Sequence, residues 1–120
     1  MHTTFKGLSL ILAMAVLPLS VSAEETPHTP EAIKAVSQSL QTNLKAGLEA
    51  YQKSDYLTAC TSLALAVGDG RTLRWHNEGL IKLFKAQGED TREYETEIIA
   101  LDGAIERLEA RTKDVCALAQ

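Results

Sequence analysis

Methionine, tryptophan, cysteine and histidine are all scarce in this chain of 120 residues, and each scarcity excludes something. Both methionines, Met1 and Met14, lie within the first 23 residues, so the remainder has no thioether to serve as an axial haem ligand. No Cys-x-x-Cys-His attachment site is present either. Beyond His2, the only histidines are His28 and His76. Nucleophilic catalysis needs a nucleophile beside an oriented base, and a helical zinc site needs ligands three or four residues apart. Trp75-His76-Asn77-Glu78 supplies neither arrangement, and His76 falls among apolar neighbours, where a hydrogen-bonded core or boundary histidine is the ordinary outcome. The chain is therefore expected to be no enzyme and to carry no cofactor and no metal. Basic residues are outnumbered, 12 against 16 acidic, for a net charge of −4. That balance excludes a nucleic-acid partner and an electrostatically held membrane-surface protein. No segment alternates with period two over a useful length, so no sheet is expected.

What is present begins at the N-terminus. Lys6 precedes an apolar run from Leu8 to Leu19, and Val21-Ser22-Ala23 offers small residues before Glu24-Glu25. This is the layout of a cleavable secretory signal over residues 1–23. The run falls short of the roughly 20 residues that span a bilayer, and an uncleaved anchor is the alternative. Cleavage after Ala23 places the mature chain in the periplasm or outside the cell, with no stable membrane insertion. In such a compartment the two remaining scarce residues, Cys60 and Cys116, are expected to form one disulfide rather than two free thiols. Closing a loop of that length stabilises a fold by roughly 4 kcal/mol in the chain-entropy view.

Residues 24–28 read as a mobile leader and residues 29–120 as a single helical domain. Thr29-Pro30-Glu31 supplies a cap, a proline for the first helical position and an acid for the first turn. Ile33, Val36, Leu40, Leu44, Leu48 and Tyr51 then recur at helical steps and predict a helix over 29–53. Ser54-Asp55 breaks it. A second helix over 56–67 is rich in Ala and Leu nearly all round, as a central helix is. Gly68-Asp69-Gly70 predicts a turn, followed by a third helix over 71–87 and a stop at Gly88. Asp90 and Glu93 resemble a capping box. The last helix, over 91–118, carries a heptad seam of Tyr94, Ile98, Leu101, Ile105, Leu108, Thr112, Val115 and Ala119. The expected fold is all-α, a compact antiparallel bundle of about four helices with one disulfide.

Within this pattern, Gly47 to Ala66 resembles a single tetratricopeptide-type helical hairpin. The matching residues are Gly47, Tyr56, Ala59 and Ala66, with Ser54-Asp55-Tyr56 standing where that family has Gly-Asp-Tyr. The next 34-residue window does not repeat the pattern, so no array follows. The resemblance implies a closely packed helix pair of a kind that lines peptide-holding grooves, and a single unit transfers no binding residue.

Arg71, Arg74, Lys82 and Lys85 share one side of the predicted third helix, beside Trp75, while the start of the last helix is acidic. The two segments either neutralise each other across the hairpin or orient a partner. Tryptophan and arginine are the side chains most enriched at interface hot spots, so Arg71, Arg74, Trp75, Lys82 and Lys85 are the candidate partner-binding residues. The sequence thus points to an exported non-enzymatic interaction module in the bacterial envelope, of adaptor, chaperone, inhibitor or immunity type, binding another exported protein as a monomer or homodimer. The alternative is a small-molecule or lipid carrier using a cavity in the bundle core, where the Ala-rich helix leaves space between bulkier neighbours.

Overall fold

Thr29 starts the first helix as its position predicts: its hydroxyl accepts the Ala32 N–H at 3.1 Å, and Pro30 fills the first helical position. The computed structural model describes residues 27–120, so the expected signal over 1–23 and all of the expected leader except Pro27 and His28 lie outside the described residues. Helix α1 (Pro30–Gln52) ends at a tight turn in which Ser54 adopts a left-handed backbone, φ 59°. Asp55 then caps the next helix by accepting the Thr58 N–H at 3.3 Å.

That next helix does not stop at Gly68-Asp69-Gly70. Helix α2 runs unbroken over 31 residues, Tyr56–Ala86, so the described residues hold three helices where four were expected. The turn signal is overridden by contacts that need a helix there. The Asp69 carboxylate accepts hydrogen bonds from Ser39 Oγ (2.8 Å) and Asn43 Nδ2 (2.9 Å) of α1. Gly70 is buried against Ile105, where an added Cβ would lie 3.0 Å from the side chain. Each helical glycine costs about 0.5–1 kcal/mol relative to alanine, and the interfaces formed on both sides of α2 offset it.

Gly88, at φ 78°, ends the chain's central helix in the left-handed conformation expected of a C′ glycine. Helix α3 (Arg92–Leu118) begins one residue later than a cap at Asp90 implies. Thr91 is the cap residue, and its hydroxyl bonds Glu95 rather than a backbone N–H. Asp90 instead accepts the Arg92 N–H at 3.0 Å and grips its guanidinium. That ion pair holds the Asp90 carboxyl down at about 2, and it replaces the expected capping box.

The architecture is antiparallel throughout, with α1 and α3 both packed on α2 and scarcely approaching each other at the backbone. It measures 50 × 24 × 22 Å. The heptad seam of α3 is buried or half-buried along its length. Its partner is α2. Two apolar clusters make up the core. One joins Ile33 to Leu73, Leu80, Ile81, Phe84, Tyr94, Leu101 and Ile105; the other joins Ala50, Ala59, Leu63 and Val115. Between them lies the Ser39–Asn43–Asp69 polar layer. On α1 the sequence stripe is too wide, because Leu48 and Tyr51 lie outside the core, and Tyr51 packs on Tyr56 and Arg111 instead. Cys60 and Cys116 form the disulfide, their Cα atoms 4.7 Å apart, joining the first turns of α2 to the last turn of α3. No helix among the described residues is long and apolar enough to cross a membrane.

Candidate protein-docking face

Because both neighbours pack on the same side of α2, its opposite side is left to solvent. Successive exposed positions there are Leu57, Thr61, Ala64, Leu65, Gly68, Thr72 and Trp75, which recur at helical spacing on one face. Leu57 is 70% exposed, Leu65 55% and Trp75 51%. The stripe runs about 27 Å at 1.5 Å per residue and carries no charge. The three charged residues of α2 within that span turn away: Asp69 goes to α1, while Arg71 and Arg74 go to α3.

The basic residues singled out from sequence are for the most part committed to α3. Arg71 pairs with Glu109, Arg74 with both Asp102 and Glu78, and Lys85 with Glu95 at 3.0 Å. The hydrogen bond that Arg74 donates to Asp102 makes Arg74 still harder to deprotonate, and the one that Lys85 donates to Glu95 lowers Glu95. Of these pairs only Lys85–Glu95 joins the basic side to the acidic start of α3; Arg71 and Arg74 meet acids elsewhere. Such pairs at the surface contribute about 0–1 kcal/mol each; their larger effect here is to clear charge from the outer face of α2. Lys82, exposed, makes no ion pair among the described residues and stands beyond the Trp75 end of the stripe.

At that end the structure assembles a group that the sequence reading kept apart. His28, expected to be mobile, folds over α2 with its Nδ1 2.9 Å from Nδ1 of His76. Its ring meets the Trp75 ring edge-on at 4.4 Å between centroids. It also fills the space over Gly79, where a Cβ would stand 2.1 Å from ring atoms. Glycine at position 79 is what admits the imidazole. His76 itself is buried, as a boundary histidine should be, and its burial and the neighbouring His28 lower its titration, while burial lowers that of His28. The available signal was Gly79 itself, an isolated glycine inside a predicted helix, which marks a packing or functional reason for its place there.

A hollow of about 500 Å³ lies along α1 between Leu44, Lys45, Leu48 and Glu49. It lies on the flank of the bundle, whereas the carrier alternative places its cavity in the bundle core. Comparison with family models, with curated proteins and with solved structures finds no match to this chain.

Proposed function

We propose that this chain is an exported, non-enzymatic helical module that binds another exported protein through the outer face of α2. The observation that carries the reading is the uncharged stripe from Leu57 to Trp75, flanked by α1, whose hydrogen bonds hold Asp69, and by α3, whose ion pairs hold Arg71 and Arg74. Its length and width suit one amphipathic helix laid along α2, with its apolar side inward, as in helix-in-groove recognition. Small residues at Thr61, Ala64, Gly68 and Thr72 permit close approach along the middle, and Leu57, Leu65 and Trp75 supply the bulky contacts. Trp75 is the anchor, since a half-exposed tryptophan has the most apolar surface left to bury. Arg71, Arg74 and Lys85 act indirectly, by holding α3 in place, and Lys82 is the basic residue left to meet an acidic group on the partner.

The test is site-specific photo-crosslinking in the cells that export the protein, with the photoreactive residue at Leu65 or Thr72 and a control at Lys113 on the outside of α3. A discrete protein adduct from the first two positions, absent from the control and lost in Trp75→Glu, supports the reading. Adducts that are the same from all three positions, or adducts to a second copy of this chain, overturn it.

A further inference from the structure

We propose that α2 is a hinged helix: two separately packed halves joined at Gly68–Thr72 and held in line by the grip of α1 on Asp69. The hinge stands on its own contacts. Only its use, which is to set the angle of the outer face, rests on the docking reading above.

The core is divided at the level of the middle of α2. One apolar cluster takes Leu73, Leu80, Ile81 and Phe84 from this helix, and the other takes Ala59 and Leu63. From Leu63 to Leu73 is roughly 15 Å of helix at 1.5 Å per residue, and no α2 residue between them belongs to either cluster. The buried residues in that interval are Ala66, Val67 and Gly70, of which Val67 alone brings a side chain larger than a methyl group. Both outer helices change cluster nearby, α1 between Leu40 and Leu44 and α3 between Ile105 and Leu108. The bundle thus has two packed ends, and α2 crosses between them on small side chains.

The backbone at the crossing is poorly suited to a helix. Two of the residues from Gly68 to Thr72 are glycine, which has the lowest helix propensity after proline. Gly70 is required by Ile105, whereas nothing lies within 4 Å of a Cβ at Gly68, so no internal contact demands a glycine there. Thr72 Oγ1 donates to the Gly68 carbonyl at 3.0 Å, the same carbonyl that accepts the helical N–H of residue 72. Such back-bonding weakens and bends helices. Gly68 and Thr72 are both exposed, so the loosened bond lies on the solvent side and its opening bends α2 convex outward.

Against this local preference stands a clasp from α1. Ser39 Oγ and Asn43 Nδ2 donate to the Asp69 carboxylate at 2.8 and 2.9 Å, and Asn43 Nδ2 also reaches Ser39 Oγ at 3.4 Å. The three side chains act together to hold the middle of α2 helical. Helix α1 thereby governs the shape of a face on the far side of α2. When the clasp opens, the Leu57–Leu65 part of the stripe and the Trp75 part turn relative to each other.

The experiment is native-state hydrogen exchange, read by NMR on the isotope-labelled protein with its disulfide intact, with residual dipolar couplings recorded on the same samples. The helical N–H groups of residues 70–73 span the hinge. They are expected to be about tenfold less protected than those of 62–66 and 77–81, through openings that expose little surface and so respond little to urea. Gly68→Ala, whose added Cβ meets nothing, is expected to raise protection at 70–73 selectively. Asn43→Ala is expected to lower it there selectively. In that variant the couplings of 57–66 and 73–85 should require two alignments, where the wild type requires one. Gly68→Ala keeps every contact and carries the test if Asn43→Ala does not fold. Uniform protection along α2 in the wild type overturns the hinge. So does a change in either variant that is equal at all α2 amides, which marks an effect on overall stability alone, and so does a single alignment in Asn43→Ala. No partner enters this readout. A uniform profile therefore refutes the hinge and leaves the docking reading standing, whereas missing crosslinks at Leu65 refute docking and leave the hinge.

Discussion

Gly70 of α2 faces Ile105 of α3 so closely that an added Cβ would lie 3.0 Å from Ile105 Cγ1. Two positions earlier, Gly68 has nothing within 4 Å of the same point. The pair of glycines that suggested a turn thus separates into one that is needed by packing and one that is not.

Gly68→Ala should raise stability by about 0.5–1 kcal/mol, because helix propensity improves and nothing is displaced. Gly70→Ala should gain less, since buried Ile105 must give way by some tenths of an ångström. At Gly47, where the Cβ would stand 2.7 Å from a Leu63 side chain that is only 1% exposed, alanine should cost about 1–3 kcal/mol by overpacking. Urea denaturation of the three variants checks the order, and a stabilised Gly47→Ala would refute the close α1–α2 contact.

Asp69→Ala should destabilise by about 1–3 kcal/mol, because Ser39 and Asn43 lose the acceptor they share in a half-buried layer. Replacing both sides of the contact, as Asp69→Leu with Asn43→Leu, should recover part of that loss, since no polar group is then left waiting for a partner. A double-mutant cycle from denaturation midpoints measures the coupling.

Acid should weaken the fold through the histidine pair, and the sign follows from the direction of the shifts. Both rings titrate lower in the folded chain than the ordinary 6.5, so the unfolded chain binds more protons in that interval. The stabilisation is complete above 6.5 and is lost as pH falls through the lowered values. Urea midpoints at pH 7.5 and 5 should therefore differ in the wild type and differ less in His28→Ala. An equal acid loss in both proteins would assign the effect to other groups.

Reduction of the Cys60–Cys116 bond, which spans 56 positions, should lower stability by roughly 4 kcal/mol through the freed entropy of the unfolded chain. Denaturation with and without reductant, with alkylation to trap the thiols, gives the value directly.

How much of this was legible in the sequence depends on how far away each determinant lay. The caps at Thr29 and Asp55, the stop at Gly88 and the seam of α3 are specified by neighbours within a turn or two, and they appear where local chemistry puts them. The continuity of α2 is specified elsewhere. Asp69 is held in a helix by Ser39 and Asn43, 30 and 26 positions back, and Gly70 by Ile105 in another helix. No local rule distinguishes such a Gly-Asp-Gly from a turn. The Trp75 group was hidden for the same reason, because the leader that supplies His28 has a proline and no periodicity, while its seat lies on α2. The basic side of α2 was seen, but sequence could not choose between pairing with α3 and facing a partner.

The disulfide closes residues 60–116 into a covalent ring that holds most of α2 and α3 and leaves α1 outside it. Of the two interfaces on α2, that with α3 is the less extensive, so the staple sits on the weaker seam. With the ring closed, α3 stays tethered, and local opening starts with α1 lifting away from a preserved hairpin. Once the ring is cut, α3 becomes the more loosely held of the two. The oxidation state of its surroundings thus selects which outer helix lets go first, and with it which side of α2 is laid bare.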